Sequence, residues 1–136
     1  MLKYKNVLTT CPYCGAGCNY YLQVLNDDIV GILPCKSHPV SQGKLCIKGW
    51  TANEFITSKD RLTKPLMKRD GKFVEVSWDE ALDGIAKKLR EYKEKDGPDS
   101  LAVLSSAKCT NEENYLLVKF TRAVLGTNNI DHCARL

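Results

Sequence analysis

Four cysteines carry the strongest chemical signal in this sequence. Cys11, Cys14 and Cys18 form a Cys-x2-Cys-x3-Cys motif, and Cys46 follows after 27 intervening residues. Three thiolates so close together suit three irons at the corners of a [4Fe-4S] cube, and the fourth ligand can come from a distant part of the chain. Glycines at positions 15 and 17 let the backbone turn tightly and aim N–H groups at sulfide. The spacing therefore favours an iron–sulfur cluster bound by these four cysteines.

Other interpretations of the cysteines remain open at this point. Structural zinc sites more often use two separated cysteine pairs or add histidine, so this spacing fits zinc less well. Unligated core cysteines are less plausible still, because the neighbouring glycines make burial of three side chains difficult. Cys35 competes with Cys46 as the distal ligand. We favour Cys46 because Ile47-Lys48-Gly49 follows it, and we interpret Cys35 as a small buried thiol.

Lys48 places an ammonium group two residues from Cys46. A nearby positive charge would help to set the reduction potential of a cluster. From spacing alone, this role and that of an ordinary surface lysine are equally good interpretations. His38 precedes Pro39, and we interpret it as a loop residue rather than a ligand.

The composition is that of a globular domain. Of 136 residues, 43% are hydrophobic and 26% are charged, with a mean hydropathy of -0.30, which excludes a disordered or collagen-like chain. No apolar run approaches the roughly 20 residues of a membrane-spanning helix. The N-terminal residues contain no secretory or twin-arginine signal. We therefore expect a cytoplasmic protein without a membrane span, in which cysteines more often bind metal than form disulfides.

The net charge of +4 is modest. Residues 59–72 are the most basic stretch, with six basic side chains against Asp60 and Asp70. This stretch lacks interleaved aromatic residues that could stack on bases. We interpret it as a solvated connector and expect no nucleic-acid partner.

The cysteine-rich residues precede a region of more regular patterning. Residues 20–25 and 29–33 are β-prone and flank a polar turn, which predicts a hairpin in a small sheet that carries loops. We place a boundary near residues 58–64. The sequence thus predicts a cluster domain at residues 1–60 and a second domain at residues 61–136.

The second domain begins with a strand prediction at residues 73–76. A Ser-x-x-Glu capping pattern then predicts a helix from Trp78 that ends at Gly97-Pro98. Its apolar residues recur at steps of three and four and form one face. They are Trp78, Ala81, Leu82, Ile85, Leu89 and Tyr92.

A second strand and helix follow. Residues 101–105 predict a buried strand, and Thr110 with Glu113 repeats the capping pattern before an apolar helix that Gly126 ends. The order strand, helix, strand, helix indicates the opening portion of an α/β layer with parallel pairing. The predicted fold class is therefore α/β, with a small β-rich cluster domain followed by the opening βαβα part of a larger domain.

The motifs together resemble the N-terminal part of molybdenum- or tungsten-dependent formate dehydrogenase catalytic subunits, within the bis-molybdopterin guanine dinucleotide oxidoreductases. The cysteine motif alone marks the wider superfamily, which includes nitrate reductases. The closing residues 126–136, Gly-Thr-Asn-Asn-Ile-Asp-His-Cys-Ala-Arg-Leu, are more typical of the formate branch. The other stretches that carry the resemblance are residues 11–18, 43–50, 60–66, 76–82 and 110–115.

In that family the residue after the counterpart of Leu136 is a selenocysteine or cysteine that binds the metal. The resemblance suggests the hypothesis that a selenocysteine codon read as a stop follows Leu136, so we expect further domains beyond this point. The acid–base histidine and the substrate-binding arginine of the family follow the metal ligand. We therefore assign neither role to His132, Cys133 or Arg135.

The resemblance also implies roles for residues within the chain. Cys11, Cys14, Cys18 and Cys46 would bind the cluster, and Lys48 would lie between it and one pterin, where it suits electron relay. Further pterin or phosphate contacts would come from loops of the α/β layer, at Lys108, Asn111 and Asn129. For the two asparagines, a turn or helix-cap role is the better interpretation.

We therefore predict the N-terminal part of a formate dehydrogenase, which relays single electrons between the molybdenum or tungsten site and partner subunits. The expected partners are the rest of the catalytic subunit, further iron–sulfur subunits, and an acceptor such as nicotinamide, ferredoxin or a hydrogenase, with formate or carbon dioxide as substrate. The rival predictions are a stand-alone ferredoxin-like carrier, the same segment of a nitrate reductase, and a zinc-binding module.

Overall fold

A computed structural model describes residues 2–133, and these residues divide into two compact units. The first unit contains residues 2–61, 106–114 and 133. The second contains residues 62–105 and 115–132. The units do not follow chain order, because a nine-residue segment late in the sequence belongs to the first one.

The first unit is built on a three-stranded antiparallel sheet in the order β1-β2-β3. Its strands are β1 (Tyr4–Thr10), β2 (Asn19–Leu25) and β3 (Asp28–Pro34). Asn26 and Asp27 join β2 to β3 with φ values of 49° and 73°, as a tight two-residue hairpin turn requires. The predicted hairpin is confirmed. β1 was not predicted, because six of its seven residues are exposed and its sequence lacks a buried face.

Two short helices complete this unit, α1 (Ile47–Trp50) and α2 (Glu54–Thr57). A small core lies where the sheet meets them and consists of Cys11, Tyr20 and Ala52. Five partly buried residues pack against this core, namely Tyr13, Cys18, Leu22, Ile32 and Leu45. Cys11 is thus part of this core and Cys18 packs against it, so the core connects the cysteine motif to the sheet.

The second unit opens with a hairpin of β4 (Leu66–Arg69) and β5 (Lys72–Glu75). The strand predicted at residues 73–76 is thus confirmed, shifted by one residue. The interpretation of residues 59–72 as a connector was wrong for its second half, because β4 pairs with β5 along its whole length. Lys64 also forms an exposed ion pair with Glu75 at 2.9 Å.

Helix α3 (Trp78–Asp96) begins and ends where the capping pattern predicted. Ser77 Oγ accepts a hydrogen bond from the Glu80 N–H at 3.1 Å, and Gly97 ends the helix with a φ of 82°. A 3-10 turn at Pro98–Ser100 leads to β6 (Val103–Ser106).

Helix α4 (Asn111–Phe120) starts at a reciprocal capping box. Thr110 Oγ accepts from the Glu113 N–H at 3.2 Å, and the Glu113 carboxylate accepts from the Thr110 N–H at 2.7 Å. A π-helical turn (Thr121–Leu125) continues α4 until Gly126, which has a φ of 82°. The predicted order strand, helix, strand, helix is confirmed by β5, α3, β6 and α4. The strand β7 (Ile130–Cys133), which was not predicted, pairs with β6. The predicted parallel pairing of the two predicted strands is absent from the described residues, because β5 pairs antiparallel with β4.

The apolar faces of the second unit are exposed among the described residues. Leu104 on β6 is 85% exposed, which contradicts the predicted burial of that strand. Ile85 on α3 and Val124 in the π-helical turn are each 56% exposed. An α/β sheet requires a layer on both faces, and residues 2–133 do not supply all of it. None of the described helices is both long and apolar enough to cross a membrane.

Candidate iron–sulfur site

The four predicted ligands line one cavity of about 270 Å³ in the first unit. Cys11, Cys14 and Cys18 come from the loop between β1 and β2, and Cys46 comes from the residue that precedes α1. The remaining lining residues are Tyr13, Ala16, Gly17, Leu45, Ile47, Lys48, Gly49, Ala107 and Lys108. The fold therefore gathers two distant cysteine segments around a single space.

The sheet positions the three-cysteine loop. The β1–β2 ladder runs up to the pair Thr10 and Asn19, and the Cys11 N–H then donates to the Cys18 carbonyl at 2.8 Å. The loop is thus closed at its base by antiparallel pairing. Gly17 has a φ of 57°, a left-handed conformation that a residue with a side chain adopts at a cost.

The backbone around Cys46 favours the thiolate form of its side chain. Backbone N–H groups of Gly49 and Lys48 point toward its sulfur, and the hydrogen bond from Gly49 is the largest cause that lowers the pKa of Cys46. Burial opposes this shift, and the charge of Lys48 adds to it. A thiolate is the form that binds metal, so this segment favours ligation.

The Cys11 thiol has the opposite bias. Burial is the largest cause that raises the pKa of Cys11, and a hydrogen bond from the Tyr13 backbone opposes it. The negative charges of Cys18, Cys14 and Cys46 raise it further. Four sulfurs that repel one another electrostatically are close neighbours, and binding to positive metal centres would relieve that repulsion.

The donor set and the space fit an iron–sulfur cluster. Zinc would draw its thiolates to about 2.3 Å from one centre. The four cysteines instead surround a cavity, and four thiolates around a volume of this size suit a polynuclear [4Fe-4S] cluster.

Lys48 and Lys108 both line the cavity. Lys48 lies one residue into α1, and the Lys108 backbone N–H donates to Ser106 Oγ at 3.0 Å, which shapes the turn after β6. The ammonium groups of these two lysines would partly balance the negative charge of thiolates that bind a cluster here. Both predicted cations are thus at the site, and their contact with a pterin stays a prediction.

The two predicted asparagines differ in position. Asn111 is the first residue of α4, and its side chain donates to the Gly15 carbonyl in the cysteine loop at 3.1 Å. Asn129 lies in the second unit and donates to the carbonyls of Asp99 and Leu101 at 3.0 and 3.3 Å. The Asn129 side chain therefore joins two distant segments of the second unit, which is not the local turn or helix cap that was predicted. Asn111 contacts the cluster loop, which neither of its predicted roles described. Pterin contacts of both asparagines stay predictions.

The remaining cysteines and histidines lie elsewhere. Cys35 is buried outside the cavity lining, and its hydrogen bond with Ser37 Oγ at 3.3 Å is the largest cause that lowers its pKa. His38 Nδ1 contacts Ser41 Oγ at 2.9 Å within a turn, as expected of a loop residue. Cys133 Sγ lies 3.5 Å from Ser106 Oγ. Arg135 and Leu136 fall outside the described residues.

An aromatic contact that the sequence does not predict lies beside the three-cysteine loop. The rings of Tyr13 and Phe55 meet edge to face with centroids 6.4 Å apart, and the Arg61 guanidinium lies 5.0 Å from the Phe55 centroid. Tyr13 also lines the cavity. The three residues share no local sequence pattern, so their contact has no signal before folding.

Two family models match the chain and together cover nearly all of it. The model described as the molybdopterin oxidoreductase Fe4S4 domain matches residues 4–58. The model described as molybdopterin oxidoreductase matches residues 61–136.

Individual relatives agree with these matches. The chain is 54% identical to F420-dependent formate dehydrogenase 2 subunit alpha of Methanococcus maripaludis, over 100% of this chain and 20% of that protein. It is 53% identical to F420-dependent formate dehydrogenase subunit alpha of Methanocaldococcus jannaschii, over 99% of this chain and 19% of the relative. The solved structure of acetylene hydratase from Pelobacter acetylenicus matches with a TM-score of 0.59 and 26% identity, over 94% of this chain and 18% of that one. The chain thus spans about a fifth of the length of its relatives.

Proposed function

We propose that this chain, which belongs to the molybdopterin oxidoreductase family, is the N-terminal part of a formate dehydrogenase catalytic subunit and binds its [4Fe-4S] cluster. The observation that carries the proposal is the convergence of Cys11, Cys14, Cys18 and Cys46 on one cavity. Identity of 53–54% to formate dehydrogenase alpha subunits supports the reaction assignment. The segment would conduct electrons rather than contact formate itself.

The residues of this chain would bind the cluster and adjust its charge. When bound, the molybdenum- or tungsten-pterin cofactor supplies the two-electron oxidation of formate, and the cluster accepts electrons one at a time. Each added electron makes the site more negative. Lys48 and Lys108 on the cavity wall, together with backbone N–H groups near Cys46, would stabilise that added charge. We assign to Lys48 the role of relay between the cluster and a pterin.

We also propose coenzyme F420 as the electron acceptor of the complete enzyme. Two relatives that cover essentially the whole chain are named F420-dependent, which supports this choice over nicotinamide, ferredoxin or a hydrogenase. The partners would be the rest of the catalytic subunit and one or more electron-transfer subunits. We assign the complex to the cytoplasm. Cysteines that bind metal rather than form disulfides suit a reducing compartment.

Anaerobic purification of the full-length protein tests the proposal. We expect about four irons with equal sulfide per catalytic subunit, an EPR signal that develops when formate is added, and formate-dependent reduction of F420. Reduction of NAD but not F420 would contradict only the acceptor. Hydration of acetylene without formate oxidation would contradict the reaction. Zinc in place of iron would contradict the cluster.

A matched pair of variants tests the ligand assignment. Cys46→Ser should abolish the cluster signal, because it removes a cavity thiolate, whereas Cys35→Ser should retain it, because Cys35 lies outside the cavity lining. The opposite result would exchange the two residues as distal ligand.

A further inference from the structure

A segment far along the chain holds the three-cysteine loop. The Asn111 side-chain amide donates to the Gly15 carbonyl at 3.1 Å, and the two residues are 96 positions apart. Gly15 directly follows Cys14. Residues 106–114 and the loop belong to the same compact unit, so this contact lies within one body of the structure.

The Asn111 side chain occupies the space that a side chain at position 15 would need. A Cβ atom there would clash with Asn111 Oδ1 and lie 3.1 Å from Asn111 Cγ, so the Asn111 amide would have to move. Gly17, by contrast, has a positive φ and no atom within 4 Å of a Cβ position. The two glycines of the loop therefore serve different purposes: Gly17 permits a turn, and Gly15 admits Asn111.

The same distant segment also forms part of the cavity wall. Ala107 and Lys108, which precede Asn111, line the cavity together with the four cysteines. The Thr110–Glu113 capping box fixes the start of α4. Asn111 therefore projects from a braced helix terminus and not from a free loop.

We propose that Asn111 is a positioning residue that acts on the cluster through Gly15 and raises its reduction potential. The inference rests on the proposed function, because it requires a cluster on these cysteines. The hydrogen bond from Asn111 fixes and polarises the peptide group between Gly15 and Ala16. A carbonyl that accepts a hydrogen bond makes the N–H of its own peptide group a stronger donor. That N–H belongs to Ala16, which lines the cavity.

The direction of the effect follows from the charge of the two oxidation states. Stronger donors near cluster sulfur stabilise the more negative, reduced state. Loss of the Asn111 donor should therefore lower the potential. Asn111→Leu removes the donor, and Asn111→Asp places a carboxylate of the same size against the Gly15 carbonyl.

Redox titration followed by EPR on the full-length, iron-loaded protein tests the proposal. At a fixed potential, the ratio of reduced to oxidised cluster should fall about threefold in Asn111→Leu and about tenfold in Asn111→Asp, the latter equal to 59 mV for a one-electron couple. Asn114→Leu is the matched control. Its amide lies one turn further along α4 and donates to the Ser106 and Cys109 carbonyls, so the potential should not change.

A second comparison examines the steric contact. Gly15→Ala should disturb the loop because the new methyl group meets Asn111, and the double variant with Asn111→Ala should recover part of the cluster content. This recovery would not occur if Gly15 were needed for its backbone conformation alone.

The outcomes separate this inference from the proposed function. Fully loaded Asn111→Leu and Asn111→Asp proteins with the wild-type potential and EPR spectrum would overturn the positioning role. Variants that lose iron but keep the wild-type potential in the loaded fraction would also overturn it, since Asn111 would then serve stability alone. A wild-type protein without a cluster would overturn the proposed function and this inference with it. Asn111→Asp, which is isosteric, carries the test if Asn111→Leu does not fold.

Discussion

The two units of the chain differ in completeness: the first contains all the residues of its cavity, whereas the second leaves many of its apolar side chains exposed. The first unit gathers the cavity wall, both cations and the Asn111 brace from its own residues. The second unit contains the capped helix α3 but leaves large apolar side chains such as Trp78, Leu82 and Leu116 more than half exposed. The residues of a cofactor site can therefore all be present in a chain whose hydrophobic layers are incomplete. A cluster loop needs a few nearby donors, whereas an α/β layer needs a partner on each face.

The largest expected effect concerns the exposed faces. The isolated chain of 136 residues should self-associate, because α3 and α4 present contiguous apolar side chains to water. Ile85→Glu should increase the monomer fraction of the isolated chain, as measured by analytical ultracentrifugation. In the full-length protein the same change should cost about 3 kcal/mol or more, because it would bury a charge under the missing layer.

A monomeric, soluble wild-type chain would contradict this prediction and favour a stand-alone electron carrier. Lys87→Glu, a charge change at an exposed position of α3, serves as the control and should leave both measurements nearly unchanged.

The next largest effect concerns two glycines that both adopt a positive φ. Gly17 in the cluster loop and Gly71 in the β4–β5 turn have φ values of 57° and 80°, and neither would place a Cβ within 4 Å of another atom. Alanine at either position should cost about 1 kcal/mol of stability, measured by chemical denaturation of the cluster-free protein. Only Gly17→Ala should also reduce iron content. Equal iron content in the two variants would mean that the loop tolerates distortion.

A similar pair exists at the helix caps. Ser77→Ala removes the single side-chain cap of α3, and Thr110→Ala removes half of the reciprocal box at α4. Each should lower the free energy of unfolding by about 1 kcal/mol. Thr110→Ala should in addition accelerate cluster loss in air, because α4 carries Asn111. Identical rates of cluster loss in the two variants would mean that the α4 cap does not contribute to cluster stability.

The smallest effect is a pH dependence of the α4 cap. Hydrogen bonds from the Thr110 backbone are the largest cause that lowers the pKa of Glu113. A carboxyl with a lowered pKa in the folded state contributes stability above its unfolded pKa and loses it as pH falls through the folded value. Glu113→Gln should flatten the acid side of the stability profile in thermal denaturation. An unchanged profile would mean that other carboxyl groups cause the loss of stability at acidic pH.

Short-range patterns made much of this structure predictable. The turn between β2 and β3, the Ser77 cap of α3 and the Thr110–Glu113 capping box each occupy only a few residues, and all are present. At α3, Glu80 pairs with Arg69 and does not complete a box. Contacts across the chain left no such pattern. The Asn111–Gly15 bond spans 96 positions, and neither partner reveals it alone. The strand β1 could not be predicted from an alternating apolar pattern, because its pairing with β2 and not a buried face defines it.

The burial of apolar side chains was the other property that could not be predicted from the sequence. Apolar periodicity predicts one apolar face on α3 and one on α4, but neither helix contains a buried residue. The pattern indicates which face needs a packing partner and does not identify the segment that provides it. Leu104 illustrates this limit: its strand is present, and its side chain remains 85% exposed.

The hydrogen bond that joins Cys11 to Cys18 has a consequence for maturation. Because antiparallel pairing closes the loop at its base, the sheet can fold and present three thiols before any iron arrives. Cys46 belongs to a separate segment and reaches the same space independently. Delivery of iron should therefore begin at the hairpin, and the arrival of the fourth sulfur should be the step that seals the cluster in place.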